Sequence, residues 1–248
     1  PHAGCPHRCV FCNQHAVTAT RETWPSERQV RERIDAYLAW GSPERARGEI
    51  AFYGGNALGL DSAQLDRLLA IARPYVDAGR VAGLRLSTRP DTVTPERLDA
   101  LSGTPVRTIE VGVQSLDDRV LRRSGRGHSA QTAVEAVHRL RARGFRAGVQ
   151  LMLGLPGDHG GAALETAQRV VSLQPDFVRL YPTLVLGGSP LADRYARGRY
   201  RPLSLEEAVA LHRGPFLQGL VLPDSAPFEQ WLTLQREHWQ REVLAALE

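Results

Sequence analysis

Lysine is absent from this chain, because all 31 basic residues are arginine. This absence excludes functions that need a lysine amine, such as the phosphate-binding lysine of a P-loop, a pyridoxal Schiff base or a lysine general base. Long apolar runs are also absent: none approaches the ~20 residues of a membrane-spanning helix, and no signal-like segment precedes the first cysteine. We therefore expect a cytoplasmic protein without membrane association.

Cysteine is scarce and clustered. The three cysteines of the 248 residues, Cys5, Cys9 and Cys12, lie in the single stretch GCPHRCVFC. An odd set so close together cannot join distant segments through disulfides, which favours a reducing compartment. Three neighbouring thiolates instead bind either zinc, with a histidine as fourth ligand, or an iron–sulfur cluster. Nearby histidines keep the zinc interpretation open: His2, His7 and His15.

The spacing C-x3-C-x2-C favours the cluster over zinc. Zinc sites usually come as paired C-x-x-C segments that are separated by a dozen residues or more, whereas all three thiols here lie in one loop. A [4Fe–4S] cubane held by three cysteines keeps one iron without a protein ligand. That open iron could bind a substrate or a cofactor.

Strand and helix patterns alternate along the chain. Helices are predicted, for example, over 61–76, over 94–103 with Thr94 as N-cap, and over 129–144, where Ser129 is the N-cap and Gly144 ends the helix. Two more are predicted near the end of the chain, over 204–212 and 228–247. Such alternation implies parallel strands with right-handed helical crossovers, in an open doubly wound sheet or a barrel. We count five strands and expect a sixth either upstream of Pro1 or represented only by its end. The strands are EIAFYGG, AGLRLST, VRTIEVGVQS, FRAGVQLMLGLPG and DFVRLYP.

Glycine-rich or polar turns follow four of these strands. Ligands of parallel α/β folds bind at the carboxyl ends of the strands, so these turns should converge on one face. Tyr53, beside the first turn, is interpreted as core packing. The turns are Gly54-Gly55-Asn56, residues 87–91, Gln114-Ser115 and residues 154–158.

One stretch is locally basic. Residues 117–146 hold eight arginines against three acidic residues, a balance of +5. The stretch could face an anion such as RNA. A solvated helix surface is the alternative, because no aromatic residues interleave the arginines as they do in platforms that bind single-stranded nucleic acid.

The cysteine spacing in GCPHRCVFCNQ, ahead of a βα repeat, resembles the radical S-adenosylmethionine (SAM) superfamily. Three further stretches match in order: FYGGN is similar to the glycine motif after the second strand, VGVQSLDDRVLRRSGRGH to the fourth-strand turn, and QLMLGLPGD to the fifth-strand motif. The sequence resembles the Elongator catalytic subunit most, and the core of oxygen-independent coproporphyrinogen III oxidase at a greater distance. The resemblance implies an α/β fold with a partial (β/α)6 barrel over residues 1–203, in which the first strand is absent or clipped. Residues 204–248 would form a C-terminal helical extension.

The resemblance also implies cofactors and a partner. Cys5, Cys9 and Cys12 would hold a [4Fe–4S] cluster whose open iron is chelated by the amino and carboxylate groups of SAM. The reduced cluster would cleave SAM and release a 5′-deoxyadenosyl radical that abstracts hydrogen from a substrate. An electron donor such as a flavodoxin or ferredoxin would supply the electron. The substrate stays open, with RNA as one option.

Seven residues match positions that bind SAM in the family. Gly54 and Gly55 would let the backbone approach the SAM ammonium group, because they have no Cβ atom. Asn56 departs from the Ser or Thr of relatives. His128 is interpreted as a loop residue that orders its turn. The remaining matched positions, which the resemblance places against the ribose and amino-acid parts of SAM, are Ser87, Gln114, Arg126 and Gln150.

Two other interpretations remain. The first is a scaffold or metal-binding protein in which the cysteines hold structural zinc with His2 or His7. The second is a radical SAM fold that is inactive, because a missing first strand would open a barrel edge and leave backbone groups unpaired.

Overall fold

The computed structural model describes residues 3–18, 24–39 and 48–204. Five strands pair in chain order, and every pair is parallel, so they form a half-barrel. The predicted partial (β/α) barrel is therefore confirmed, and each predicted strand is present. The strands are β1 (Glu49–Phe52), β2 (Gly83–Thr88), β3 (Val106–Gln114), β4 (Arg146–Leu153) and β5 (Phe177–Pro182).

The helices connect the strands and cover one side of the sheet. The predicted cap Ser129 is confirmed, since its side chain accepts a hydrogen bond from Thr132 N. Asp61 caps the helix that follows it in the same way by accepting from Gln64 N. The helix expected over 94–103 is shorter and ends at Asp99. The helices are α1 (Gln14–Thr18), α2 (Glu27–Ala39), α3 (Ser62–Asp77), α4 (Pro95–Asp99), α5 (Asp118–Arg123), α6 (Ala130–Ala142), α7 (Gly160–Ser172) and α8 (Pro190–Ala196).

The two faces of the sheet differ in chemistry because side chains alternate along each strand. Leu86, Ile109 and Val149 point to the helical side and belong to one continuous apolar core. Arg85, Glu110 and their neighbours point to the opposite, concave side, where they contact one another. Burial of the apolar side chains stabilises the layer of helices on the sheet. The polar residues thereby line the inside of the half-barrel.

All the described helices and strands belong to one compact unit that extends to Pro202. Within the described ranges, the chain has no helix that is both long and apolar enough to span a bilayer. The two helices predicted over 204–212 and 228–247 lie outside the described residues beyond Ser204. The proposed boundary at 203/204 stays a prediction.

Candidate functional site

The three cysteines lie in a loop that precedes α1 at the carboxyl ends of the strands. Cys9 is buried, Cys5 and Cys12 are half-buried, and all three are free thiols. Backbone hydrogen bonds fix the middle of the loop: Val10 N donates to Ser124 O at 3.0 Å, and Val10 O accepts from Leu191 N at 2.8 Å. The loop is therefore held between the end of α5 and the start of α8.

Two arginine side chains contact Cys9, one from the residue after β2 and one from the turn after α5. Arg126 Nη1 lies 3.1 Å from Cys9 Sγ, and Arg89 Nη1 lies 3.8 Å from it. Both side chains are buried, at 5% and 4% exposure. Arg126 is thus no surface residue, and its guanidinium also donates to the backbone oxygen of Gly112. The sulfur of Cys9 is thus contacted by two cationic side chains.

Burial is the largest influence on the pKa of each of the other two thiols. Burial raises the pKa of Cys5, and the guanidinium of Arg89 is the strongest influence that lowers it. Burial likewise raises the pKa of Cys12, and a hydrogen bond from the Gln14 amide, at 3.6 Å, acts against this rise. The loop therefore contains thiols that are removed from water but faced by cations and N–H donors.

Asn56 joins the cysteine loop to the second strand. Its amide nitrogen donates to Gly4 O at 2.8 Å, and its backbone N–H donates to Ala3 O at 2.8 Å. Its side-chain oxygen accepts from the Thr88 hydroxyl at 2.6 Å and from Arg89 N at 3.0 Å. The side chain is 1% exposed, so its polar atoms have no access to water. Asn56 is a structural brace of the loop, which its sequence position alone did not indicate.

Replacement of Asn56 by alanine should destabilise the protein by about 2–4 kcal/mol, because buried partners of the amide would lose their hydrogen bonds. Urea denaturation measures the change in the free energy of unfolding. The matched control is Asn13→Ala, since Asn13 makes exposed bonds to Gly187 O and Ala16 N and should cost about 1 kcal/mol or less. Equal losses in both variants would contradict the bracing role of Asn56.

Gly54 and Gly55 of the glycine turn are needed for two different reasons. Gly54 has φ +98, a conformation that residues with a Cβ atom rarely adopt, and a Cβ there would meet nothing closer than Gln14 Oε1 at 3.9 Å. A Cβ on Gly55, in contrast, would lie 2.3 Å from Ala3 O. Gly55 therefore allows the cysteine loop to pack on the turn, whereas the backbone at Gly54 faces open space. Together with Ser87, both glycines line one cleft.

Gln114 ends β3 in an unusual conformation. Its φ is +69, although it is not a glycine, and the register between β3 and β4 shifts at this point. The side chain is 8% exposed, and its Oε1 has no hydrogen-bond partner among the described residues. The Nε atom of Arg126 is also buried without such a partner. Strained backbone and unpaired buried atoms are typical of sites that bind a ligand.

Gln150 and His128 lie beside this region with different surroundings. The amide of Gln150 donates to Glu110 Oε2 at 2.8 Å, so this residue has a partner within the protein. His128 Nδ1 lies 3.1 Å from Ser129 O, while its Nε2 is buried without a partner among the residues described. Burial and the charge of Arg126 lower the pKa of His128 to about 4. At neutral pH the imidazole is therefore uncharged.

A polar network fills the concave face below the turns, with Glu110 at its centre. Glu110 is 0% exposed and accepts from Tyr53 Oη at 2.5 Å and from Arg85 Nη1 at 2.8 Å. Arg179 of β5 lies 3.3 Å from the same carboxylate, and Arg85 also pairs with Glu49 at 2.6 Å. Although burial acts to raise the pKa of Glu110, these hydrogen bonds and charges hold it below its usual value.

Tyr53 corrects one prediction. Its side chain is 49% exposed rather than packed in the core, and its hydroxyl is bound to Glu110. Burial of the hydroxyl, the hydrogen bond and the nearby carboxylate raise the pKa of Tyr53 to about 12. The prediction was wrong because an aromatic residue at a strand end is usually buried in the core. The sequence did not show that Glu110 of β3 would bind its hydroxyl.

A comparison with known protein families tests the resemblance that the sequence motifs indicated. The profile of the radical SAM superfamily matches residues 1–170, which is more than half of the chain, and that of the radical SAM C-terminal domain matches residues 175–213. The chain belongs to the radical SAM superfamily. It is an enzyme of that superfamily, as the four motifs predicted.

Known relatives of this radical SAM enzyme include several proteins without a stated reaction. One is the uncharacterized protein MJ0486 of Methanocaldococcus jannaschii, 28% identical over 221 residues, which are 84% of this chain and 66% of that protein. A relative whose name does state a reaction is the tRNA uridine(34) acetyltransferase of Methanocaldococcus infernus, 29% identical over 133 residues, which are 52% of this chain and 25% of that protein. The chain thus spans about two thirds or less of the length of these relatives.

Solved structures confirm the radical SAM fold. The archaeal Elp3 of Methanocaldococcus infernus superimposes with a TM-score of 0.66 at 22% identity, over 86% of this chain and 58% of that chain. Coproporphyrinogen III oxidase (HemN) of Escherichia coli superimposes with a TM-score of 0.54 at 21% identity, over 94% and 56%. Both families named from the sequence motifs are therefore structural neighbours of this chain.

The residues present fit the cofactors that the superfamily implies. Three thiols in one loop and two cationic donors at Cys9 suit a thiolate-ligated [4Fe–4S] cluster. The cleft at Gly54 and Ser87 offers open space beside the glycine turn for a ligand such as SAM. Separately, Gln114 Oε1 is a buried acceptor and Arg126 Nε a buried donor without a partner among the described residues. In the described ranges, no three His, Cys, Asp or Glu side chains converge around a single-ion site. The zinc alternative stays a prediction.

Several residues of the site were missed in the sequence. Arg85 and Glu110 interrupt strands that are otherwise apolar, and such strands of parallel sheets usually read as continuous apolar runs. This interruption was a usable signal. Arg89 carried no comparable signal, because an arginine after a strand end is normally exposed.

Proposed function

We propose that this chain binds a [4Fe–4S] cluster through Cys5, Cys9 and Cys12 and SAM in the adjoining cleft, and that it starts a radical reaction on a substrate in the concave face. The observation that carries the proposal is the cysteine loop, which packs on the glycine turn and places Cys9 next to Arg89 and Arg126. When bound and reduced, such a cluster supplies the electron that cleaves SAM into methionine and a 5′-deoxyadenosyl radical.

The protein residues would hold and orient the cofactor. Gly54 leaves the backbone of the turn accessible, and Ser87 lies in the same cleft. The guanidinium of Arg126 would pair with the SAM carboxylate, and the free amide oxygen of Gln114 would accept a hydrogen bond from SAM. Gln150 and Asn56 are the exceptions among the predicted contacts, since Glu110 already engages the amide nitrogen of Gln150 and the loop engages the side chain of Asn56.

Anaerobic reconstitution with iron and sulfide, followed by reduction with SAM and chromatography for 5′-deoxyadenosine, tests this function. We expect a cluster with visible absorption and release of 5′-deoxyadenosine that depends on SAM and on reductant. A cluster without release would contradict the radical activity of this chain and favour the inactive fold. Binding of zinc without a cluster would favour the scaffold alternative.

Replacement of Arg126 by alanine should weaken SAM binding by about 1.5–3 kcal/mol, or roughly 10- to 150-fold, because a charge-assisted hydrogen bond is lost. Equilibrium dialysis on cluster-loaded protein measures the affinity, and iron analysis shows that loading is equal. Arg122→Ala, on the exposed side of α5, is the matched control and should bind as the parent does. Unchanged affinity in Arg126→Ala would remove this residue from the SAM site.

The electron donor, the compartment and the substrate are further parts of the proposal. A small redox protein such as a flavodoxin or ferredoxin would reduce the cluster, and a reducing cytoplasm would keep the three thiols available. An RNA substrate draws on the basic stretch 117–146 and on the tRNA-modifying relative. The structure lends it limited support, because Arg139, Arg141 and Arg143 bind backbone carbonyls of neighbouring segments. Binding of tRNA that weakens steeply with salt would support it.

A further inference from the structure

Arg89 is an arginine in an unusual environment. It follows β2 directly and is 4% exposed, although arginine is seldom buried unless it is paired. Its pairing is specific: Nε donates to Asp91 Oδ1 at 2.9 Å, and Nη2 donates to Asp91 Oδ2 at 3.0 Å. Nη2 also donates to the backbone oxygen of Arg126. These contacts fix the guanidinium plane.

The fixed plane leaves the other edge of the guanidinium facing the cysteine loop. Nη1 points to Cys9 Sγ at 3.8 Å, so the cation lies between the carboxylate of Asp91 and a cluster ligand. Arg126 faces the same sulfur at 3.1 Å. Two cations and one carboxylate therefore surround this side of the loop. The contacts that hold Arg89 in this position all come from the protein itself, so they do not depend on SAM.

We propose that Arg89, held by Asp91, sets the one-electron reduction potential of the cluster through Cys9. This inference rests on the proposed function, since it requires the cluster. Reduction adds a negative charge to a group that already carries thiolate ligands, and a buried cation stabilises the reduced form more than the oxidised form. The carboxylate of Asp91 opposes this effect. The pair would thereby keep the potential between the values that either charge alone would produce.

The proposal predicts shifts of opposite sign for two variants. Arg89→Gln removes the cation and should lower the reduced-to-oxidised ratio about tenfold at a fixed applied potential, which is about 59 mV for a one-electron couple. Asp91→Asn removes the opposing carboxylate and should raise the ratio several-fold. A potentiometric titration, monitored by the EPR signal of the reduced cluster without SAM, measures both. Arg28→Gln makes the same change in net charge at an exposed site on α2 and should leave the ratio unchanged.

The outcomes separate this inference from the proposed function. A parent protein that forms no cluster would overturn the proposed function before any variant is compared. A loaded parent with unshifted variants would overturn only the role of Arg89, and so would shifts of the same sign, because they would indicate a loosened loop. If Arg89→Gln fails to load a cluster, the upward shift in Asp91→Asn decides the question.

Discussion

Alanine at Cys5, Cys9 or Cys12 is expected to abolish the cluster and, with it, release of 5′-deoxyadenosine. Each of the three thiolates would bind a separate iron, so a missing ligand opens a second iron to solvent. Bound iron and sulfide should fall from about four of each per chain to near zero after anaerobic reconstitution and desalting. Iron analysis and the visible spectrum measure the loss. Full iron content in all three variants would refute the assignment.

His7→Ala is the control that separates the cluster from the zinc alternative. His7 lies between the cysteines and is exposed, so its removal should not disturb the core. With the cluster assignment, the variant keeps its iron and its spectrum. With a zinc site that uses His7, the variant loses metal as the cysteine variants do.

Glu110→Ala is expected to lower the free energy of unfolding by about 3–5 kcal/mol at neutral pH, because removal of one partner of a buried ion pair leaves the other charge uncompensated. The carboxylate is fully buried, and Arg85 and Arg179 both direct cationic groups to it. Tyr53 and Gln150 would lose their hydrogen-bond acceptor as well. Urea denaturation of the cluster-loaded protein, under anaerobic conditions, measures the difference.

The effect should depend on pH in a defined direction. The pKa of Glu110 is lower in the folded protein than its ordinary value of 4.5, so the carboxylate stabilises the fold above that value. As the pH falls below 4.5 and through the lower folded pKa, the parent loses this contribution, and the difference between parent and variant should shrink. If the difference in free energy of unfolding between parent and variant stays constant as the pH falls below 4.5, the variant loses stability through a cavity and not through lost charge pairing.

Glu135→Ala is the matched control for Glu110→Ala. Its carboxylate pairs with Arg139 at 2.8 Å, but this pair lies on the surface of α6 and is about 45% exposed at the glutamate. Exposed pairs of this kind contribute roughly 0.3–0.5 kcal/mol. Similar losses in the two variants would show that Glu110 acts merely as one more surface charge.

Local patterns predicted the elements well. The strands β1 to β5 were all recognised, because apolar runs bounded by glycine and polar turns are a local property of the sequence. Short helices were harder to predict from the sequence, because α5 and α8 have few residues over which an apolar periodicity can repeat. The end of α4 was predicted too late, because the apolar pattern of the sequence continues past Asp99 into a turn.

The candidate site was predicted in part. The cysteine spacing and the glycine motifs identified the family, and the predicted residues Gly55, Asn56 and Arg126 lie against the loop or its start. The partners of Asn56, Tyr53 and Glu110 could not be read from the sequence, because they lie 25 to 69 positions away along the chain. The two arginines at Cys9 show the same limit, since their contacts with this residue span 80 positions for Arg89 and 117 for Arg126.

The sequence by itself determined the superfamily, the alternation of strands and helices, and the three thiols that would hold a cluster. These features depend on residue type and on spacing over a few positions, where steric and hydrophobic preferences act locally. Only the tertiary structure decided which buried charges face one another. Pairing of parallel strands brings Arg85, Glu110 and Arg179 together on the concave face, and the loop meets Arg89 and Arg126 only when the sheet has formed. Electrostatic energies depend on distance and burial, and neither quantity exists until the fold does.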